Sequence, residues 1–438
     1  MKKTGIYGVL SAVGLAAGLA GSAAAQEDTF KIGIITFLSG QAAESFGVPA
    51  LNGGKLLIDM MNKGDALPAP YNTKGFGGMN IEYVVVDEAG GATKQVQEFR
   101  NLVQREEVDA VLGYVSSGDC LAVPPVADEL KAFTILYDCG TPRVFEDGKF
   151  EYVFRTAAHA TMDNISLARY LKSRNFDVPT YAGLNQDYAF GQDSWADFTA
   201  SMTQIYPDAV IKTALFPKFG AGQYGTEISA LLREKPALVH SSNWGGDLQG
   251  FLIQATARGL DKRSQLVLSA GDHVIPQLQD KMPDGIFLGA RGVNGLAAYA
   301  RGGELKELTD TMWDAYEAEY GVFPVQAPFR MWQALFGLKT AVEKAMADNG
   351  GKKPNDEELV AAMKGLEWDA PSGHIEMALA DGHQAIQPNA IGTTKWNADA
   401  GKMELVDVEY YAARCVNPPE GTKAADWIAQ GFPGAECD

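Results

Sequence analysis

Short apolar runs alternate along the chain with longer stretches whose apolar residues recur every three or four positions. Residues 30–36 (FKIGIIT), 81–87 (IEYVVVD), 108–113 (VDAVLG) and 133–137 (FTILY) are compact runs of buried-strand type. Between them, 48–62 carries Leu51, Leu56, Ile58, Met60 and Met61, and 93–106 carries Val96, Phe99, Leu102 and Val103 on one side, both as helices do. A third helix is expected at 121–130, with Pro124-Pro125 near its first turn, where proline is tolerated. The rhythm restarts after Phe154-Arg155-Thr156. Helices are predicted at 164–173, 191–205, 227–234 and 248–258, and strands at 179–184, 209–216, 237–240, 265–270 and 285–289. Longer helices follow at 304–320 and 329–349, then a Gly/Lys/Asn-rich surface loop to 355. Apolar strands alternating with amphipathic helices specify parallel sheets covered by helices on both faces. Two such series specify two α/β lobes.

The first 25 residues stand outside this pattern. A basic Met1-Lys2-Lys3, an apolar run from Ile6 to Ala20 and the small residues Ser22-Ala23-Ala24-Ala25 have the order of a secretory signal cut after Ala25. No later run approaches the roughly 20 apolar residues that span a bilayer. Export gives meaning to the cysteines. Cys120, Cys139, Cys415 and Cys437 form an even set in an oxidising compartment. Of three possible pairings, Cys120–Cys139 and Cys415–Cys437 close the shortest loops, of about 20 residues each, for of order 3 kcal/mol apiece. A metal site is the rival reading, but no C-x-x-C pair occurs. The formal net charge of −18 over 438 residues opposes nucleic-acid binding, which needs clustered Lys and Arg.

In doubly wound sheets, ligands sit beyond the carboxyl ends of the strands. Here those ends fall at 38–47, 87–91, 113–120, 137–143, 185–191, 243–247 and 271–273, which hold hydroxyl residues, glycines, aromatics and a few acids. That mix suits a small organic molecule. Enzyme motifs are lacking. There is no phosphate loop of the G-x-x-x-x-G-K-[ST] form, no G-x-G-x-x-G after the first strand, no G-x-S-x-G elbow and no H-E-x-x-H. Of the five His, His374 and His383 read as surface turns, whereas His273 beside Asp272 at a strand end has a route to the cleft. No metal and no cofactor is expected.

Several segments resemble the branched-chain amino-acid binding proteins of ABC transporters. These are 30–47 (FKIGIITFLSGQAAESFG) with Asn52-Gly53-Gly54, 113–120 (GYVSSGDC), 135–142 (ILYDCGTP), Phe154-Arg155-Thr156, 186–193 (QDYAFGQD), 254–260 (QATARGL) and 371–383 (PSGHIEMALADGH). They stand in family order over about residues 28–405, and the tail with two Cys extends beyond them. The resemblance implies a type I periplasmic binding protein: two doubly wound parallel-sheet α/β lobes, three hinge crossovers and closure on a ligand. Lobe 1 would take 28–157 and about 290–368, lobe 2 would take 158–289 and about 369–410, and 411–438 would be an extension.

By the same resemblance, Ser117 and Thr141 hold a ligand carboxylate, with Ser116 adjacent. Hydroxyls and free N–H groups at such turns favour an anion, although the two serines also suit a helix N-cap. The family's aromatic walls fall on Phe46, Phe190 and Trp244, with Tyr188 close by. Ordinary core packing is the competing role for Phe46 and Phe190. Its ammonium-holding acid corresponds to Asp272, a position or two displaced. Asp138 and Cys139 stand where the family has small residues. The expected function is a monomeric periplasmic carrier that delivers a small amino-acid-like ligand to an inner-membrane ABC permease. The alternatives are a carrier of aromatic carboxylates or short amides, a secreted α/β enzyme using Asp272 and His273, and a ligand-sensing receptor domain.

Overall fold

The computed structural model describes Met1 and residues 29–437. The expected signal segment and its cleavage point after Ala25 lie outside the described residues. The four predicted N-terminal strands form at β1 (Thr29–Thr36), β2 (Asn80–Asp87), β3 (Ala110–Gly113) and β4 (Thr134–Leu136), joined by β5 (Val153–Arg155). The five strands of the second series are β6 (Thr180–Leu184), β7 (Val210–Leu215), β8 (Leu238–Ser241), β9 (Gln265–Leu268) and β10 (Phe287–Gly289). Five more follow late in the chain: β11 (Glu367–Ala370), β12 (Gly373–Leu379), β13 (Gln384–Ile386), β14 (Asn389–Asn397) and β15 (Lys402–Tyr411).

These build two sheets. One has eight strands in the order β11-β12-β13-β5-β4-β3-β1-β2, and the other has seven in the order β15-β14-β10-β9-β8-β6-β7. The strands of the two repeating series pair in parallel, with β1 central between β2 and β3. β11 and β12 in one sheet and β14 and β15 in the other add antiparallel pairings, so each sheet is mixed. The chain crosses between lobes three times, after β5, after β10 and between β13 and β14.

Three expectations change. The predicted entry into lobe 2 at about 369 comes later: β11–β13 still pair in the first sheet, and the second sheet resumes only at β14. Of the two histidines expected in surface turns, His374 lies instead in the strand β12, and His383 does sit in the turn between β12 and β13 but is buried. The residues of β12 alternate in burial, and His383 is 5% exposed and stacks on Phe154 with ring centroids 4.4 Å apart. The helix expected at 121–130 is two, Ser117–Ala122 and Pro124–Leu130.

Lobe 1 is centred on the 23-residue helix Gln326–Asp348, whose residues 326–339 are all buried. Packing nearly all round explains why its apolar residues outnumber a single stripe. Both short-loop disulfides are present, Cys120–Cys139 and Cys415–Cys437, at separations of 19 and 22 residues. The first ties the helix after β3 to the turn after β4. The second closes the C-terminal extension, whose Trp427 and Ile428 pack against Met162 and Ile165 of the helix Ala160–Ser173. Among the described residues, no helix is long and apolar enough to cross a membrane.

Candidate functional site

The carboxyl ends of the parallel strands of both lobes converge on one narrow cleft, across which the two lobes are packed closely together. Lobe 1 supplies Phe46, Val115, Asp138, Gly140 and Gln326, and lobe 2 supplies Tyr188, Phe190, Trp244 and Ala270, with Arg291 at the crossover after β10. A much larger groove runs between residues 142–151, 379–384 and 418–423, but none of the residues expected to touch ligand lines it.

Each aromatic wall owes its position to a local device. Phe46 lies in a π-helical turn, Ala43–Gly47, a geometry that recurs at functional sites. Trp244 is the N-cap of the helix Gly245–Ala257, where Gly245 takes φ +63°. With that turn made, the Gly245 N–H donates to His273 Nε2 at 2.8 Å and the Gly246 N–H to the Gln41 carbonyl of the opposite lobe at 2.8 Å. The Trp244 ring lies 5.5 Å from Phe46 and 5.2 Å from Phe219, and its indole N–H donates to the Tyr188 hydroxyl at 2.7 Å. Aromatic packing across the lobes is therefore continuous.

The polar end of the cavity centres on Arg291 and Asp138. Arg291 Nη1 donates to Asp138 Oδ1 at 2.8 Å and to the Asp138 carbonyl at 2.6 Å, and its Nε donates to Asp163 Oδ2 at 3.2 Å. The guanidinium lies 5.2 Å from the centre of the Phe190 ring. Arg330 Nε stands 3.7 Å from Asp138 Oδ1. All four charged side chains are at most 5% exposed. Burial pushes the Asp163 carboxyl up to about 6, against the pull of Arg291 and Arg330, and raises Asp138 likewise.

The remaining predicted residues surround the cavity without lining it. Ser116 is the N-cap of the helix Ser117–Ala122. Ser117 Oγ accepts from the Thr141 N–H at 3.2 Å, and the Thr141 hydroxyl donates to Asp193 Oδ2 at 2.5 Å, so both hydroxyls hold turns together. Asp272 Oδ2 accepts from the Gln326 N–H at 2.8 Å, and burial pushes its carboxyl up to about 8. His273 packs against Phe46 with ring centroids 5.5 Å apart, and burial drives its pKa down to about 3, which keeps the ring neutral. The buried Cys120–Cys139 bridge links the turns that carry Val115 and Asp138. Sequence reasoning missed Arg291, which sits in a Gly/Ala/Arg-rich stretch without a motif. The signal available was Asp138 itself, a buried acid that requires a cation 153 residues away.

The family model described as periplasmic binding protein matches residues 29–402. No curated protein sequence matches the chain. Among solved structures, the solute-binding protein of an ABC transporter from Rhodopseudomonas palustris BisB5, in complex with 3,4-dihydroxybenzoic acid, superposes with a TM-score of 0.73 at 23% identity, covering 88% of this chain and 98% of its own. Another R. palustris solute-binding protein, in complex with benzoate, gives 0.73 at 20% identity over 90% and 99%. A leucine-binding protein from Thermotoga maritima gives 0.69 at 18% identity over 87% and 98%. With a family model covering most of its length and two lobes meeting over a strand-end cavity, the chain belongs to the periplasmic binding protein family, in its type I form.

Proposed function

We propose that this protein is the solute-binding component of an ABC importer, which captures a small amino-acid-like solute between its lobes and presents it to an inner-membrane permease. One observation carries the reading: a cavity at the strand ends of both lobes, walled by four aromatic side chains and closed at one end by the Arg291–Asp138 pair. Walls from both lobes mean that ligand contacts are completed only when the lobes meet, which ties binding to hinge closure. The periplasm is the compartment of the family, and the two disulfides suit it. Asp272 and His273, the pair of the enzyme reading, each have a backbone N–H as partner and neither lines the cavity.

A second reading, transport of aromatic carboxylates, draws on the ring-lined walls and on relatives solved with benzoate and 3,4-dihydroxybenzoic acid. Titration calorimetry of the full chain against a panel of amino acids, amides and aromatic acids tests both. Saturable binding with the ligand recovered unchanged supports a carrier, and turnover of any compound refutes it.

A further inference from the structure

The importer reading names a cavity without naming the head group it takes, and the Asp138–Arg291 pair carries that step. Both residues line the cavity, and each keeps one buried polar atom without a hydrogen-bond partner, Oδ2 of Asp138 and Nη2 of Arg291. Their other polar atoms bind each other and Asp163. Two paired residues of the lining therefore carry one unmatched acceptor and one unmatched donor. Buried groups of this kind are costly when unmatched, so a ligand that satisfies both is selected over one that satisfies one.

The surrounding charges set the sign. Arg291, Arg330 and Arg155 are buried cations. Against them stand Asp138, Asp163 and the buried acid pair Glu88–Asp119. Glu88 accepts the Val115 and Ser116 N–H groups at 2.7–3.0 Å, and its side chain hydrogen-bonds to Asp119. Such a pair keeps one shared proton and a single negative charge. Asp272 is protonated below about pH 8. At the cavity itself the buried cations Arg291 and Arg330 are matched by Asp138 and Asp163, whereas Arg155 lines the second groove with Glu146 nearby, so a monoanionic ligand adds a buried charge with no partner.

We propose that the ligand's head group is neutral overall and carries a hydrogen-bond donor beside an acceptor, the donor meeting Asp138 Oδ2 and the acceptor meeting Arg291 Nη2. Carboxamides and zwitterionic amino acids share this chemistry. The inference rests on the importer reading and narrows it: the apolar body lies against Phe46, Tyr188, Phe190 and Trp244 while the head group excludes simple carboxylates.

The test is calorimetric titration of the full chain with benzamide, L-phenylalanine, L-leucine and benzoate. Benzamide and benzoate have the same shape and differ in the head group. The expected result is that benzamide or one of the amino acids binds at least tenfold tighter than benzoate, and whichever wins identifies the source of the head group. Asp138→Asn, which removes the negative charge beside Arg291, is expected to strengthen benzoate binding at least tenfold. The wild-type ratio decides on its own if that variant does not fold. Benzoate binding as tightly as the other three, or no binding by any of the four, overturns the head-group assignment. Binding that Trp244→Ala leaves unchanged lies outside the cleft and sinks the importer reading instead.

Discussion

Gly140→Ala is a perturbation that strikes lobe closure while leaving each lobe intact. Gly140 belongs to the turn after β4 in lobe 1. A Cβ there would lie 2.6 Å from the Phe190 ring and 2.8 Å from Arg291 Nη2, both across the cleft. Ring and guanidinium are pinned in turn by the Phe190–Arg291 contact and by the Asp138 and Asp163 ion pairs, so neither yields freely. Overpacking of this kind costs about 1–3 kcal/mol. Because the clash exists only when the lobes meet, the cost falls on the closed state, and affinity drops by about 5- to 150-fold. Calorimetric titration with the best ligand of the panel measures the drop, and thermal melting without ligand measures the fold. The expected result is weakened binding with a melting temperature close to wild type. Affinity within twofold of wild type would refute the reasoning, as would a loss of affinity fully explained by a destabilised fold.

Other expectations follow from the same geometry. Trp244→Ala removes a ring that touches Phe37, Phe46 and Phe219 and the donor to Tyr188, and large-to-small changes at such sites cost about 3–5 kcal/mol. Binding weakened at least about hundredfold is expected by calorimetry, and an unchanged constant rejects the aromatic wall. Burial pushes the carboxyls of Asp197 and Asp272 up to about 8, above an unfolded value of about 3.9, so the folded state holds protons that the unfolded chain has lost. Stability therefore falls between about pH 7 and 8.5, above the range in which the unfolded chain's histidines, with an ordinary value of about 6.5, bind protons that the buried His159, His240 and His273, pushed down to about 3, do not and so oppose the slope. Asp197→Asn, which keeps the acceptor for the Thr161 hydroxyl, flattens that fall in thermal melts, and a melting temperature that rises over the window contradicts it. Replacing Cys120 and Cys139 together by Ser opens a 19-residue loop and lowers stability by about 3 kcal/mol in denaturant titration; an unchanged midpoint argues against a structural role for the bridge.

Most of the parallel strands were legible because they are compact apolar runs, several buried on both faces, while the exposed edge strand Val210–Leu215 and β2 still show their β-branched residues. β11 to β15 were not. Glu367–Ala370 and Gly373–Leu379 alternate exposed and buried residues, and their glycines and histidines read as turns when viewed singly. The helix Asp356–Met363 carried its own start signal, a capping box in which Asn355 and Glu358 bond to each other's backbone N–H, but it lay beside a loop-like tract. In the site, Phe46, Phe190 and Trp244 were readable through the resemblance to a known family, whose aromatic walls fall on them with Tyr188 close by, and all four line the cleft. Ser117 and Thr141 were identified as a pair and do meet, through a backbone N–H and not through a shared ligand. Arg291 stayed hidden because its partners, Asp138 and Asp163, lie 153 and 128 residues away and only the folded lobes bring them together.

The most direct test of the central claim is a crystal structure of the protein with the tightest ligand of the panel. The account predicts ligand density between the lobes, with its body against Phe46 and Trp244 and its head group within about 3 Å of Asp138 Oδ2 and Arg291 Nη2. Density in the groove beside residues 418–423, or a ligand held by Ser117 and Thr141 with no contact to Arg291, would contradict it.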